Sequence, residues 1–334
     1  MSNRRKNSRG DRLVAPGISR AARQIREARR CLLGTHVNPE GDAIGSLLGL
    51  ALGLESLGKQ AIPLCHNPVP QILRFLPGSE RVSGSPPKGE FDIAIALDCD
   101  GLARLGDLAD LFSSAPILVD IDHHSGGNTF GDIRWVDPEA SSVGEMVYVL
   151  LRKIGAPLSA DIATCLYTAI LTDTGRFCYS NTTMLALEAS AELVRAGAEP
   201  ARIAAQVYER KSASALKLLG TALARLQQHD GGRIVTSFLA EQDFARAGSK
   251  REDTEGIVDQ LRACEGAVVS AVFIQNSPGS WRVSMRSREL VDVAQVALNF
   301  GGGGHARAAG YTAEGSFEQV QDRLLGELRR AIKP

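Results

Sequence analysis

Aromatic residues are scarce in this chain, at 5% of 334 residues. Proteins that grip long single strands need a row of aromatic faces, so extended base stacking is excluded as the main binding mode. An excess of one charge is also missing. Thirty-eight basic residues balance 38 acidic ones, and a net charge of +0 announces no polyanionic partner through a global field. Six cysteines (Cys31, Cys65, Cys99, Cys165, Cys178 and Cys264) form no CxxC pair and no regular spacing. That usage suits reduced thiols in a cytoplasmic protein better than a disulfide framework. No apolar run reaches about eighteen residues, so no transmembrane helix is expected and no membrane partner is implied. The basic N-terminus is not followed by the apolar core of a signal peptide.

What is present is an alternation of apolar runs and helical periods. Strands are expected at 31–35, 60–65, 91–97 and 116–121, with helices over 18–30, 42–57 and 107–113. The 42–57 helix buries Ile44, Leu47, Leu48, Leu50, Ala51 and Leu54, and Gly58 ends it. Alternation of this kind predicts an α/β fold with a parallel sheet covered by helices. From 141 to 194 the period is helical. A second, smaller α/β domain follows, with strands at 233–239, 267–275 and 281–286 and helices near 252–262, 291–299 and 316–332. At this length two domains are the default. The expected organisation is a disordered basic tail over 1–16, a first domain over 17–196, a helical linker over 197–228 and a second domain over 229–334. Ten arginines and lysines crowd the first thirty residues; they read as a solvated tail plus one helix's polar face, or as a weak RNA tether.

Chemistry concentrates in four short segments: His36-Val37-Asn38-Pro39-Glu40-Gly41-Asp42, Asp98, Asp122-His123-His124 and Thr172-Asp173-Thr174. Three of them directly follow apolar runs that look like buried strands. In an open α/β sheet the carboxyl ends of the strands converge on one crevice, where ligands sit. Carboxylates and imidazoles gathered there would repel and desolvate one another unless cations lay between them. The segments therefore read as a site for two divalent metal ions serving phosphoryl chemistry. Oxygen-rich ligands with some imidazole favour manganese, with magnesium or cobalt as alternatives. His36, Glu40 and Asp42 surround a Pro-Glu-Gly turn that lets them face one cavity, and Asp98 is placed to bridge both ions. Taken singly, each segment could be an ordinary surface turn; four together are not explained that way.

The same segments resemble the motifs of the DHH phosphoesterases, a family named for the triplet seen here as Asp122-His123-His124. The first motif, usually H-x-x-P-D-G-D-A-x-G-S, matches His36 to Ser46 with Glu40 in place of aspartate. Asp98 and Asp173 match the second and fourth motifs. Gly301, Gly302, Gly303, Gly304, His305, Ala308, Ala309 and Gly310 spell the signature of the DHH-associated domain. The resemblance spans about residues 30–334. It implies that His36, Glu40 and Asp98 hold one metal, and that Asp42, Asp98, His123 and Asp173 hold the other. His124 would face the substrate phosphate or leaving group, and Asp122 would buttress the triplet. Glu40, one methylene longer than aspartate, puts its own ligation mode in question.

In the second domain, Arg286 and Ser287 close an apolar strand, and four glycines precede His305. Glycines at such a density let backbone amides approach an anion closely, or simply make a flexible turn. The resemblance favours binding: Arg286, Ser287, Gly302, Gly303, Gly304 and His305 would clamp the far end of a substrate in a cleft between the domains. Arg176 and His66 are weaker candidates, and Gly127, Asn128, Thr129, Asn181 and Thr182 are placed near the metals by adjacency alone.

The resemblance implies a manganese-dependent phosphodiesterase that degrades very short RNA to 5'-mononucleotides. It also allows removal of the 3'-phosphate from 3'-phosphoadenosine 5'-phosphate (pAp). The alternatives are a cyclic dinucleotide phosphodiesterase and a non-catalytic nucleotide- or RNA-binding regulator. Family II pyrophosphatases share the metal motifs but lack the His305 segment. The sequence leaves room for a homodimer.

Overall fold

The computed structural model describes residues 16–124, 129–288 and 291–332. Two compact units divide between Arg210 and Lys211. The expected basic tail lies outside the described residues except for Pro16, which opens the first helix.

The first unit begins with α1 (Pro16–Glu27) and β1 (Arg30–Thr35), then α2 (Gly41–Ser56), β2 (Gln60–Cys65) and β3 (Ile93–Leu97). A 3-10 segment over Leu102–Leu108 leads into α3 (Ala109–Ser113), β4 (Leu118–Asp122) and β5 (Ile133–Val136). Four helices complete it: α4 (Val143–Ile154), α5 (Ala160–Asp173), α6 (Met184–Arg195) and α7 (Pro200–Tyr208). All five strands are parallel, in the order β2-β1-β3-β4-β5. The order reverses between β1 and β3, and the carboxyl ends of those two strands border the crevice where ligands collect in such sheets.

The sheet is covered on both faces, which is why most of its strand positions are apolar. Cys31 and Leu33 of β1 pack with Ile18, Ile25, Leu47 and Leu54 on one side. Leu32 faces the other side, with Ala94, Leu105, Leu108 and Phe112. The arginines of α1 are used in docking: Arg20 donates to the Asp132 carbonyl and Arg26 to that of Lys153. That supports the polar-face reading for this part of the basic segment. Cys31, Cys65, Cys99 and Cys165 are free and buried.

One feature of α2 was not expected. Gly41, Gly45 and Gly49 face α5 at four-residue intervals, so they share one side of the helix. A Cβ added at Gly41 would stand 2.3 Å from Thr172 Oγ1, and one at Gly45 would stand 2.6 Å from the Cys165 carbonyl oxygen. The two helices thus approach with backbone against side chain or backbone. The fourth-motif helix is fixed against the first-motif helix at this distance.

The second unit opens with α8 (Ala213–Ala224), so the expected linker over 197–228 holds one helix from each unit. It continues through β6 (Gln227–His229), β7 (Ile234–Leu239), α9 (Glu241–Ala247), α10 (Ile257–Arg262), β8 (Val269–Ser277) and β9 (Ser280–Ser287). It ends with α11 (Val293–Leu298), β10 (Gly303–His305), β11 (Ala308–Glu314) and α12 (Phe317–Ala331). The six-stranded sheet runs β10-β11-β9-β8-β7-β6 and is mixed, with only β7 and β8 parallel. Helices α11 and α12 cover one face through Val293, Val296, Leu324 and Leu328, and α8 and α10 cover the other through Leu218, Ile257 and Leu261. Among the described residues no helix is long and apolar enough to cross a membrane.

Candidate metal centre

Each expected ligand in the first unit stands at the end of a regular element. His36 follows β1 directly. Glu40 is the N-cap of α2, and its carboxylate accepts from the amides of Asp42 (2.8 Å) and Ala43 (2.9 Å). Asp98 follows β3 with a left-handed φ of 61°, a conformation that few non-glycine residues adopt. Asp122 ends β4, ahead of His123 and His124, and Asp173 is the last residue of α5.

These side chains converge. Asp98 stands in the middle, with Oδ2 3.4 Å from His36 Nε2 and Oδ1 3.6 Å from His123 Nε2. His36 Nε2 lies 3.7 Å from Glu40 Oε1, while His123 Nε2 lies 3.9 Å from Asp42 Oδ2 and 3.8 Å from Asp173 Oδ2. Two ligand groups result, His36–Glu40–Asp98 and Asp42–His123–Asp173, each with its donor atoms within 4.8 Å of one another. His124 joins Asp98 and His123 in a third such group.

The ring orientations are set from behind. His36 Nδ1 meets the Val37 carbonyl at 2.8 Å and His123 Nδ1 the Ala140 carbonyl at 3.3 Å. A carbonyl can only accept, so the proton sits on Nδ1 and Nε2 is the nitrogen turned to the cluster. His124 Nδ1 bonds Asp122 Oδ1 at 2.7 Å, and Asp122 Oδ1 also accepts from the amides of His123 and His124. That is the buttress expected of Asp122.

The metal-free cluster is electrostatically costly. Burial, with Asp98, Asp173 and Glu40 nearby, holds the Asp42 carboxyl well above its ordinary range. Burial also pushes Asp173 up to about 7, with Glu40 and Asp98 adding to it against the pull of His123. Asp98 goes the other way: burial opposes ionisation, but the hydrogen bond from His36 and the charges of His123 and His124 hold it below the usual carboxylate range. Burial would lower His36, yet hydrogen bonds to Asp98 and Glu40 raise it to about 10. His124 reaches about 9 against burial, chiefly through Asp122 and Asp98. Asp98 Oδ1 is buried with no hydrogen-bond partner, an arrangement that a bridging cation would satisfy. Carboxylate oxygens with two imidazoles suit hard or borderline divalent ions. The residues present fit two metals.

Other candidates fall away from this cluster or join it indirectly. His66 Nδ1 accepts from the Asp107 amide at 3.3 Å, a structural role. Arg176, also left-handed, lays its guanidinium over the Tyr208 ring at 4.9 Å. Gly127 and Asn128 lie outside the described residues. Asn181, suggested only by adjacency, donates to Asp173 Oδ2 at 3.3 Å. Missed altogether were the amides of Val143 and Gly144, which donate to Asp42 at 2.6 and 2.8 Å. Backbone groups leave no side-chain signature, but Ser142-Val143-Gly144-Glu145 does carry the S-x-x-E pattern of a helix start.

In the second unit, Arg286 Nε pairs with Asp259 Oδ1 at 3.3 Å and Nη1 donates to the Met285 carbonyl. Ser287 donates to the Val291 carbonyl at 2.6 Å. The glycine run is not an open turn. Gly303, Gly304 and His305 form β10 at the sheet edge, paired with Gly310, Ala309 and Ala308. Gly302 and Gly304 have packing reasons, since an added Cβ would stand 2.3 Å from the Gly310 carbonyl oxygen and 2.5 Å from that of Ala308. At Gly303 a Cβ would meet nothing within 4 Å, so packing does not account for that glycine.

Comparison with known proteins follows the same division. Residues 30–170 match the model of the DHH family, N-terminal domain, and residues 218–333 match that of the DHHA1 domain. The bifunctional oligoribonuclease and PAP phosphatase NrnA of Thermus thermophilus is 38% identical over 90% of this chain and 89% of its own. The Bacillus subtilis protein of the same name is 30% identical over 90% and 94%. Among solved structures, an exopolyphosphatase-related protein from Bacteroides fragilis superposes with a TM-score of 0.89 at 27% identity, covering 94% of this chain and 96% of that one.

Proposed function

The chain belongs to the DHH family, and on that premise we propose that it hydrolyses very short RNA to 5'-mononucleotides and removes the 3'-phosphate of pAp. The observation that carries this reading is the span of the likeness to the NrnA proteins. It takes in both the unit with the metal cluster and the unit with Arg286 and β10. Manganese is the ion we assign to the two ligand groups, on the mixture of carboxylate and imidazole donors. When bound, such ions shield charge on the phosphoryl oxygens and acidify water.

The chain's own residues divide the remaining work. Asp98 is a member of the His36–Glu40 group through Oδ2 and turns Oδ1 toward His123 of the other group, so it would serve both ions. Glu40 and His36 complete one group, and Asp42, His123 and Asp173 the other. His124, held by Asp122, would stabilise negative charge on the phosphate and could pass a proton to the leaving oxygen. Arg286 takes a terminal phosphate through its guanidinium edge, with Ser287, Gly302, Gly303, Gly304 and His305 beside it. Asp259 holds Nε of that guanidinium and so fixes its plane.

Purified protein with Mn²⁺ is offered equal amounts of diribonucleotide, heptaribonucleotide, pAp and cyclic dinucleotide, and products are resolved chromatographically. Fast loss of the diribonucleotide to 5'-mononucleotides, with phosphate released from pAp, is expected. Preference for the cyclic dinucleotide would replace this reading with the cyclic phosphodiesterase one. No turnover by protein holding fewer than two ions would favour a binding protein.

A further inference from the structure

The two ligand groups are not supported alike. Every member of the Asp42–His123–Asp173 group is tied to one short stretch, Ala140–Gly144, at the start of α4. The Ala140 carbonyl takes the Nδ1 proton of His123 at 3.3 Å. The Ser141 carbonyl accepts a hydrogen bond from Asn181 Nδ2 at 2.9 Å, and the same nitrogen contacts Asp173 at its carbonyl (3.2 Å) and at Oδ2 (3.3 Å). The amides of Val143 and Gly144 hold both oxygens of Asp42. Among the described residues no hydrogen bond runs from this stretch to His36, Glu40 or Asp98: His36 is oriented by Val37, and Glu40 by the amides of its own helix.

The stretch itself is locked by a buried carboxylate. Glu145 is fully buried, and its Oε2 accepts from Ser141 Oγ at 2.7 Å, from the Ser141 amide at 3.3 Å and from Thr183 Oγ1 at 3.2 Å. Ser142 caps α4 through the Glu145 amide. Glu145 thereby joins the turn carrying Ala140 and Ser141 to the segment carrying Asn181 and Thr183. Three donors converge on Glu145 Oε2, and breaking any of them inside the fold leaves a buried polar group unpaired. Partners behind a ligand typically change metal affinity by about 10- to 100-fold.

We infer that Glu145 and Asn181 are positioning residues for one ion only, the one held by Asp42, His123 and Asp173. The inference rests on the dinuclear reading above. Its consequence is that the two ions can be uncoupled from outside the ligand set. Glu145→Gln keeps the size of the side chain but weakens its grip on Ser141 and Thr183, and Asn181→Ala removes the strut to Asp173.

The test is a Mn²⁺ titration of metal-stripped full-length protein followed by electron paramagnetic resonance, with the signal of free ion giving affinities and the spin-coupled signal reporting the pair. Wild type is expected to take two ions and show coupling. Each variant should lose at least about tenfold in affinity for one ion, retain the other at wild-type affinity and lose the coupled signal at sub-saturating metal. Glu40→Gln serves as the mirror image and should weaken the opposite ion. Equal weakening of both ions, or of neither, overturns the inference while leaving the dinuclear reading intact. Wild type that binds fewer than two ions overturns both. Should Glu145→Gln fail to fold, Asn181→Ala alone decides, because Asn181 is only partly buried whereas Glu145 is fully buried.

Discussion

Replacing Gly45 with alanine isolates the close approach of α2 and α5. In an unencumbered helix the exchange would stabilise by roughly 1 kcal/mol. Here the new Cβ would stand 2.6 Å from the Cys165 carbonyl oxygen, 2.9 Å from Ala169 Cβ and 3.0 Å from the Ala169 amide nitrogen. Two of those three atoms are backbone, so no rotamer change relieves the clash. Reaching an ordinary contact of 3.4 Å requires the helices to part by about 0.8 Å. Overpacking of this kind costs about 1–3 kcal/mol, enough to cancel the propensity gain and leave a net loss. The functional loss should be larger than the stability loss. Asp42 sits at the start of α2 and Asp173 at the end of α5, and a metal site tolerates only about 0.5 Å of displacement. Misplacement near 1 Å costs on the order of a hundredfold in rate. The assay pairs thermal melting with Mn²⁺-dependent hydrolysis of a diribonucleotide. Gly326→Ala in α12, where a Cβ would meet nothing within 4 Å, is the control and should raise the melting temperature without touching the rate. A Gly45→Ala protein that melts higher than wild type and turns over normally would refute the argument.

Other perturbations read separate parts of the molecule. Burial and the nearby Asp122 push the Asp120 carboxyl up to about 7, against the pull of Arg134. The folded state therefore holds that proton more tightly than the unfolded chain, and stability falls as pH rises from about 4 to about 7, by at most roughly 4 kcal/mol. Asp120→Asn should flatten this slope and gain on wild type at pH 8; parallel melting curves across that range would discount the buried carboxyl. Glu40→Asp keeps a good N-cap but draws the carboxylate back by roughly 1.5 Å, one carbon–carbon bond. Affinity for the ion near His36 should fall about tenfold at unchanged melting temperature, and no change in affinity or rate would remove Glu40 from the ligand set. Arg286→Ala should raise KM for the diribonucleotide while sparing kcat, and unchanged parameters would show that Arg286 does not hold substrate.

Much of the first unit was legible because burial on both faces of a parallel sheet writes itself as apolar runs. Leu32–Leu33, Ile93–Leu97 and, broken only by Asp120, Leu118–Ile121 are such runs, and the candidate ligands stand within three residues after them. Strand β5 escaped because it is four residues long and interrupted by Arg134, which pairs with Asp120 on the neighbouring strand. Strand β10 reads in the sequence as a glycine run that either approaches an anion or makes a flexible turn, because the left-handed backbone of Gly301 and Gly304 and the close packing at Gly302 and Gly304 do not show in composition. Helix α9 and strand β11 are short or polar-faced and carried too little periodicity to register.

The sequence by itself determined the class of fold and pointed to the candidate ligands, because hydrophobic period and side-chain chemistry are local properties. Tertiary structure alone decided how the ligands divide into two groups about Asp98, since that depends on a left-handed backbone and on strands joined out of sequence order. It also brought the start of α4 to one side of the cluster. The groups responsible are backbone amides and carbonyls of Ala140–Gly144, common to every sequence, and only the fold brings them to Asp42, His123 and Asp173.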